Sequence, residues 1–400
     1  APLPQQPDST LAATYGDLSA YFKGSESFTN IETEDLRISF SNRGGVIKEL
    51  ELKQYETYYG KPLRLVDPAS TSFELMSNYQ GKSIDLYDLY YKADQKKNGD
   101  TIEVIFTIEG GSGRLSQVYK IPSKGYEIGY SLTGDGFADN LSGDNLQLNW
   151  TSIIRPTEKD LKDTRNNTTI TWYTVNDGFD NLSETSTDTE IETLKEPMKW
   201  VGIKAKFFLS SLIAKNTFDG AQLELSTNLA DTSVVKRANL AISISRKDLA
   251  DGRAVFKYYF GPNDYQVIGK VAEDLQKNVY LGWPPVYWVN KFVIFPVFHF
   301  LTLHLNNYGV IIIILVLLLK LVLAPLSYRS YLSMAKMKVL KPDLDEIKAK
   351  HGEDMAKVQQ EQLKLYQQVG VNPISGCVPV LLQMPILFAM FYLFPASIEL

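Results

Sequence analysis

A lysine standing inside an apolar run long enough to cross a membrane constrains this chain more than any other feature. Ten aliphatic residues, Val310 to Leu319, precede Lys320, and the apolar stretch Leu321 to Leu326 follows it. A central lysine costs about 2.5–3.5 kcal/mol on membrane insertion, whereas each Leu, Ile or Val returns about 0.3–0.6 kcal/mol. The aliphatics therefore outweigh the charge, and the segment inserts. A charge kept at that depth normally faces protein or water and marks a functional site. Snorkelling is the competing explanation. Lys320 precedes Leu326 by about 9 Å of helix rise, so its long stem has a route to the headgroups. On the residues alone both readings stay open.

The chain has 400 residues of which 44% are hydrophobic, enough for two or more packed domains. Its net charge of −5 gives no overall nucleic-acid signal. Distribution says more: the first 260 or so residues are polar, and the long apolar runs lie in the remainder. Cys377 is the single cysteine, which excludes an intrachain disulfide and a cysteine metal cluster. The chain opens on Ala1 without an apolar leader and closes inside an apolar helix, so a longer protein is expected, with a signal or anchor removed or lying outside this sequence.

Residues 1–30 are rich in Pro, Ser and Gln and read as a flexible tether. From there to residue 262 the pattern has period two. Leu36, Ile38 and Phe40 alternate with polar residues, as do Ile102 to Ile108, Tyr126 to Leu132, Leu146 to Trp150 and Leu240 to Ile244. Gly, Asn and Asp clusters punctuate these runs, which predicts a large antiparallel sandwich over 31–262. The acidic, Ser/Thr-rich stretch 176–196 reads as a solvated loop, with calcium binding as the alternative. A connecting helix is expected over 263–282, where Val267, Ile268, Val271 and Leu275 share a face. Residues 283–305 carry Trp283, Tyr287, Trp288, Phe292 and Phe295, residue types that settle at headgroup level, and predict an amphipathic helix lying in the interface. A full span, which would invert the topology of everything after it, is the competing reading.

The strong span is expected over 306–327, with Pro325 inside it. Eight Lys and Arg residues follow within 327–372, four of them (Arg329, Lys336, Lys338, Lys341) just past the span, which marks that side as cytoplasmic. Residues 328–371 show two apolar stripes separated at His351–Gly352 and predict an antiparallel helical hairpin, either a solvated connector or a docking surface. A second span, 372–398, opens on Asn372–Pro373 and contains Pro379, Gln383 and Pro385. Prolines in a membrane helix leave backbone carbonyls unpaired unless neighbours, polar side chains or water satisfy them, so Gln383 either ties helices together or lines a wet cleft.

Ser333-Met334-Ala335-Lys336-Met337-Lys338 with Leu340 and Pro342, then Val371 to Pro379 including Asn372, Pro373, Gly376 and Cys377, then Gln383-Met384-Pro385, closely resemble the YidC/Oxa/Alb3 membrane protein insertases. Arg43-Gly44-Gly45-Val46 and Tyr259-Phe260-Gly261-Pro262 resemble the Gram-negative branch with a large periplasmic domain. The resemblance implies a multidomain protein: an all-β supersandwich periplasmic domain, then an α-helical membrane domain with a cytoplasmic helical hairpin. It implies a multi-pass protein of the bacterial inner membrane whose hydrophilic groove, lined by Lys320 and Gln383, accepts nascent membrane proteins. Lys320 stands where the family most often has Arg, so charge attraction carries over more safely than a bidentate contact. The resemblance implies as partners the Sec translocon and its accessory subunits, the ribosome and the lipid bilayer, with no cofactor, metal or catalytic residue. A membrane-tethered carbohydrate-binding or carbohydrate-processing sandwich is the alternative. It is disfavoured because His299, His304 and His351, the only histidines, all follow the β region. A transporter subunit is disfavoured for want of internal repeats.

Overall fold

The computed structural model describes residues 8–110, 113–305, 307–352, 354–370 and 378–396, which fall in two compact units, Ala1–Val279 and Tyr280–Leu400. The alternating runs of the first unit form three antiparallel sheets. The largest has nine strands. It runs from Gly178–Asn181 at one edge through Thr168–Thr174, Met198–Ala205, Phe208–Phe218, Ala254–Pro262, Glu127–Asp135, Gly113–Pro122 and Thr101–Gly110 to Lys92–Asn98. A six-stranded sheet orders Glu190–Leu194, Gly220–Ser226, Lys236–Ser245, Leu141–Ile154, Thr71–Tyr79 and Lys82–Asp85. A four-stranded sheet takes Phe28–Glu32, Leu36–Ser41, Val46–Glu56 and Pro62–Val66 in chain order.

Both smaller sheets bury their apolar faces on one face of the nine-stranded sheet. Register aligns Tyr119 with Tyr130 and Tyr130 with Phe256, so the residues at period two along these strands make a continuous aromatic floor. Phe40 of the four-stranded sheet meets Tyr119 with ring centroids 4.8 Å apart, while Phe73 and Trp150 of the six-stranded sheet meet Tyr258 and Phe260 at 6.5 and 6.3 Å. Trp150, Tyr119 and Phe260 are among the largest fully buried side chains. Truncating one such ring to alanine typically costs about 3–5 kcal/mol.

Gly44 and Gly45 fix how the four-stranded sheet docks. Both have positive φ, and a Cβ on Gly44 would lie 2.6 Å from the Tyr87 carbonyl oxygen. A Cβ on Gly45 would lie 2.8 Å from the Gln117 amide and 2.9 Å from Phe106. That close approach lets Gln117 Nε2 donate to the Gly44 carbonyl (2.8 Å) while its Oε1 accepts from the Tyr130 hydroxyl (2.9 Å). Gln117 is fully buried, and these bonds offset its desolvation.

Nearby, Asp85 Oδ1 accepts from the Leu75 and Tyr87 amides at 2.8 and 2.9 Å. Burial pushes its carboxyl up to about 6, against the pull of those two donors. Because the native value lies above the ordinary one, the stability this group adds is fully present below about pH 4 and is lost as pH rises through about 6. Asp85→Asn keeps the acceptor and removes the titration. It should be more stable than wild type at pH 7.5, by on the order of 2 kcal/mol, with no such gain at pH 3.5. Denaturation midpoints at the two pH values measure this, and an equal offset at both contradicts it.

Three expectations are corrected within this unit. Residues 8–22 are no tether. They form a helix, Asp8–Tyr15, and a 3-10 turn, Gly16–Phe22, with Leu18 buried, the Tyr21 hydroxyl bonded to the Glu109 carbonyl and the Tyr15 hydroxyl donating to Ser83 O at 3.0 Å. Stretch 176–196 is not simply a solvated loop, since it supplies edge strands to two sheets. The buried Lys204 pairs with the Glu184 carboxylate at 2.6 Å, and the buried Lys236 donates to the Glu184 carbonyl at 2.8 Å. Burial lowers the Lys236 amine to about 8. Over 263–282 no single helix forms. One turn, Tyr265–Ile268, is capped by Asp264, and a 3-10 turn, Leu275–Asn278, follows the left-handed Asp274. Asn263 and Asn278 are buried and hydrogen-bonded, Asn278 Oδ1 accepting from Thr171 at 2.8 Å, and this local bonding competes with a helical backbone.

The second unit is helical. Pro284–Val289, a π turn at Asn290–Ile294 and Phe295–Thr302 follow one another, then Tyr308–Val339, Lys341–His351, Met355–Val369 and Val378–Ala396. The π turn falls just before Pro296, whose missing N–H and bulky ring disfavour an ordinary turn there. Tyr308–Val339 is one helix of 32 residues, so the boundary expected at 327/328 is no structural break. Nothing from Ser327 to Lys338 interrupts a helix. The break comes at Leu340, because the Pro342 ring clashes with the carbonyl four residues back. Among the described residues, Tyr308–Val339 is the helix long and apolar enough to cross a membrane. At 1.5 Å per residue it measures about 48 Å, more than the roughly 30 Å hydrocarbon thickness.

Candidate functional site

The site is built on the long helix. Asn307 caps its start, its Oδ1 accepting from the Val310 amide at 3.2 Å. Ile311 and Leu315 are fully buried and define the packed face. Lys320 comes nine residues after Ile311, about two and a half turns, and so lies on the opposite face. It is exposed, and among the described residues it makes no hydrogen bond or ion pair.

The same face continues downward. Ser327, Tyr331 and Lys338 follow Lys320 at intervals of seven, four and seven residues, spacings that return to one side of a helix. Tyr331 is 68% exposed, Lys338 is exposed and Ser327 is partly so. Hydroxyls and cations thus form a line along a helix that is otherwise aliphatic in its upper half. Ser327 and Tyr331 were not singled out from sequence, although the seven- and eleven-residue spacing from Lys320 was the available signal.

Pro325 adds backbone polarity. Having no N–H, it leaves the Leu321 carbonyl without its usual helical donor one residue past Lys320. Against acyl chains an unpaired carbonyl costs several kcal/mol, so cation and carbonyl both favour a wet or protein-lined neighbourhood. Pro385 does the same for the Leu381 carbonyl in Val378–Ala396, where Gln383 is exposed and Met384 is 39% exposed. No hydrogen bond joins Gln383 to Lys320 among the described residues. Pro379 lies in the first turn of that helix, whereas Asn372, Pro373, Gly376 and Cys377 fall outside the described residues.

In the hairpin, Met334, Lys336, Met337 and Lys338 belong to the long helix and Pro342 to the first turn of Lys341–His351, which turns at Gly352 and packs on Met355–Val369. Val358 and Leu340 are its buried residues, and Lys336, Lys338 and Pro342 are exposed. The segment 284–302 buries Val286, Asn290, Ile294, Phe298 and Leu301 along one stripe. Trp288 and Phe292 on the other side are 58% and 67% exposed, an apolar face suited to an interface. Among the described residues no group of His, Cys, Asp or Glu is arranged to hold a metal.

Two family models match the chain: the YidC periplasmic domain over residues 29–295 and the 60Kd inner membrane protein over 265–400. The membrane protein insertase YidC of Amoebophilus asiaticus is 38% identical over 99% of this chain and 68% of its own length. Those of Cytophaga hutchinsonii and Parabacteroides distasonis are 41% and 34% identical, over 96% and 98% of this chain and 64% and 63% of theirs. The chain therefore spans about two thirds of the length of these relatives. Among solved structures, an active YidC insertase with its first transmembrane domain resolved is similar at 18% identity and a TM-score of 0.36, covering 94% of this chain and 73% of that one.

Proposed function

This chain belongs to the YidC membrane protein insertase family, and from that premise we propose that it inserts and folds nascent proteins of the bacterial inner membrane through a polar intramembrane groove. The observation that carries the reading is the exposed Lys320, opposite the packed face and in line with Ser327, Tyr331 and Lys338. A groove of that character lowers the desolvation cost of carrying a short acidic or polar segment part of the way across. The substrate's apolar segment then moves sideways into lipid, where burial at about 25 cal/mol per Å2 drives the step. The process needs no bond chemistry, no nucleotide and no cofactor.

In this reading the β unit lies in the periplasm, Tyr308–Val339 crosses the inner membrane, and Val378–Ala396 returns across it in a multi-pass protein. Pro325 shapes the first of these helices and Pro379, Met384 and Pro385 the second, while Asn372, Pro373, Gly376 and Cys377 carry the family's sequence signature. The hairpin, with Met334, Lys336, Met337, Lys338 and Pro342 at its base, meets the ribosome and the Sec translocon with its accessory subunits. Depletion in cells making the complete protein tests the proposal. Substrates with short translocated segments should remain uninserted and protease-accessible, whereas undiminished insertion contradicts it.

A further inference from the structure

The β unit holds a cavity of about 600 Å3 beside the strand Pro62–Val66. This is within the range of ligand sites. Its lining points to the kind of occupant. Lys61, Pro62, Leu63, Arg64 and Leu65 all line it, although side chains of successive strand residues point to opposite faces. Leu63 is fully buried while Arg64 is exposed, so neither face of the strand alone makes the wall. The shared feature of five consecutive residues is the strand's edge. Pro62–Val66 pairs with Val46–Glu56 on one side and ends the four-stranded sheet, with no partner strand on its other side among the described residues. An open edge presents unpaired N–H and C=O groups; here the first available donor lies beyond Pro62, which has no N–H, and the Lys61 carbonyl already accepts from the Thr57 amide at 2.8 Å. Across the cavity Thr71 Oγ1 is buried without a partner, and Ser210, 8% exposed, lines the same space.

Charge selects among extended chains. Lys61 and Arg155 line the cavity, are exposed and make no ion pair among the described residues. Arg64 is already held by Glu49 at 2.9 Å, and Asp67 is the one carboxylate in the lining. The rim is thus basic in a chain whose net charge is −5. We propose that this cavity is a docking site for an extended acidic polypeptide segment, which adds a strand along Pro62–Val66 and sets its carboxylates against Lys61 and Arg155. Main-chain hydrogen bonds provide the register, and the two cations select the sequence. The site is independent of the membrane helices and of the insertion reading.

Binding of a fluorescent octapeptide of alternating Glu and Val to the full chain in detergent micelles, read by anisotropy, tests the proposal. The Lys/Val counterpart should bind at least tenfold more weakly, and Lys61→Glu with Arg155→Glu should lower affinity for the Glu/Val peptide at least tenfold. Both positions are exposed, so the fold should survive the changes. N-methylating alternate peptide amides should abolish binding in one phase and spare it in the other, which a purely electrostatic site would not show. Absence of binding, equal affinity for both peptides, or indifference to N-methylation in both phases overturns the proposal. So does a concentration-dependent dimer that the two substitutions dissolve while the peptide fails to bind, because the edge would then serve a second copy of the chain.

Discussion

Replacing Gly44 with valine is expected to unfold the β unit or bring it close to unfolding. Gly44 has φ +81°, and a Cβ there would meet the Tyr87 carbonyl oxygen at 2.6 Å, a backbone atom that no side-chain rotation can move aside. A β-branched residue in left-handed backbone costs about 1–2 kcal/mol or more. Forcing the contact apart adds about 1–3 kcal/mol. The displacement also strains two bonds, from the Gly44 amide to the Leu89 carbonyl and from Gln117 to the Gly44 carbonyl, each 2.8 Å and each worth about 1 kcal/mol. The total, on the order of 4 kcal/mol, rivals the whole stability of many domains, about 5–15 kcal/mol. Gly60 is the control, with φ +69° but nothing within 4 Å of its Cβ. The stability of the full chain read from urea midpoints should fall steeply for Gly44→Val and by only the left-handed backbone cost, about 1–2 kcal/mol, for Gly60→Ala. Equal losses at the two sites contradict the docking role of the Gly44–Gly45 pair.

Lys320→Leu should slow the insertion of substrates whose translocated segment is acidic, and Lys320→Arg should preserve it. A cation about 8 Å from a carboxylate, at an effective dielectric of about 40, attracts it by about 1 kcal/mol. That corresponds to about a fivefold change in rate. Substrates with neutral translocated segments should be affected less, because the leucine leaves the helix and its aliphatic packing intact. Arginine keeps the charge, so only its hydrogen-bond geometry differs. Complementation of a depleted strain with the complete protein, followed by protease protection of an acidic and a neutral substrate, separates the outcomes. Normal insertion of both by the leucine variant contradicts a required charge.

The sheets were legible where a strand has one buried face. Residues 36–40 and the strand Glu127–Asp135 alternate in burial as they alternate in sequence. Thr168–Thr174 and Phe208–Phe218 carry no such signal, since almost every residue of the first and the leading seven of the second are buried. In Thr168–Thr174 threonines stand where a reader looks for aliphatics, with hydroxyls satisfied locally, as Thr169 Oγ1 on Leu182 O at 2.7 Å. The N-terminal segment misled for the opposite reason. Leu18 and Tyr21 are too few to set a period, yet they suffice to hold it on the sheet. On the membrane side, composition located Lys320 and Gln383. Ser327 and Tyr331 escaped because they sit at and just past the expected end of the span, where polar residues are ordinary, and only the unbroken run of Tyr308–Val339 places them on the lysine's face.

The central claim is that the Lys320 face meets water halfway through the membrane, and accessibility at that position measures it directly. In the complete protein with Cys377 and any other native cysteine replaced by serine, single cysteines are placed at Lys320 and at Val322, which lies on the opposite side of the helix. A charged, membrane-impermeant thiol reagent is then applied from the cytoplasmic side of inverted vesicles. Rapid labelling of Lys320→Cys with slow labelling of Val322→Cys is the predicted result. Two equally inert thiols would place position 320 against lipid and contradict the account.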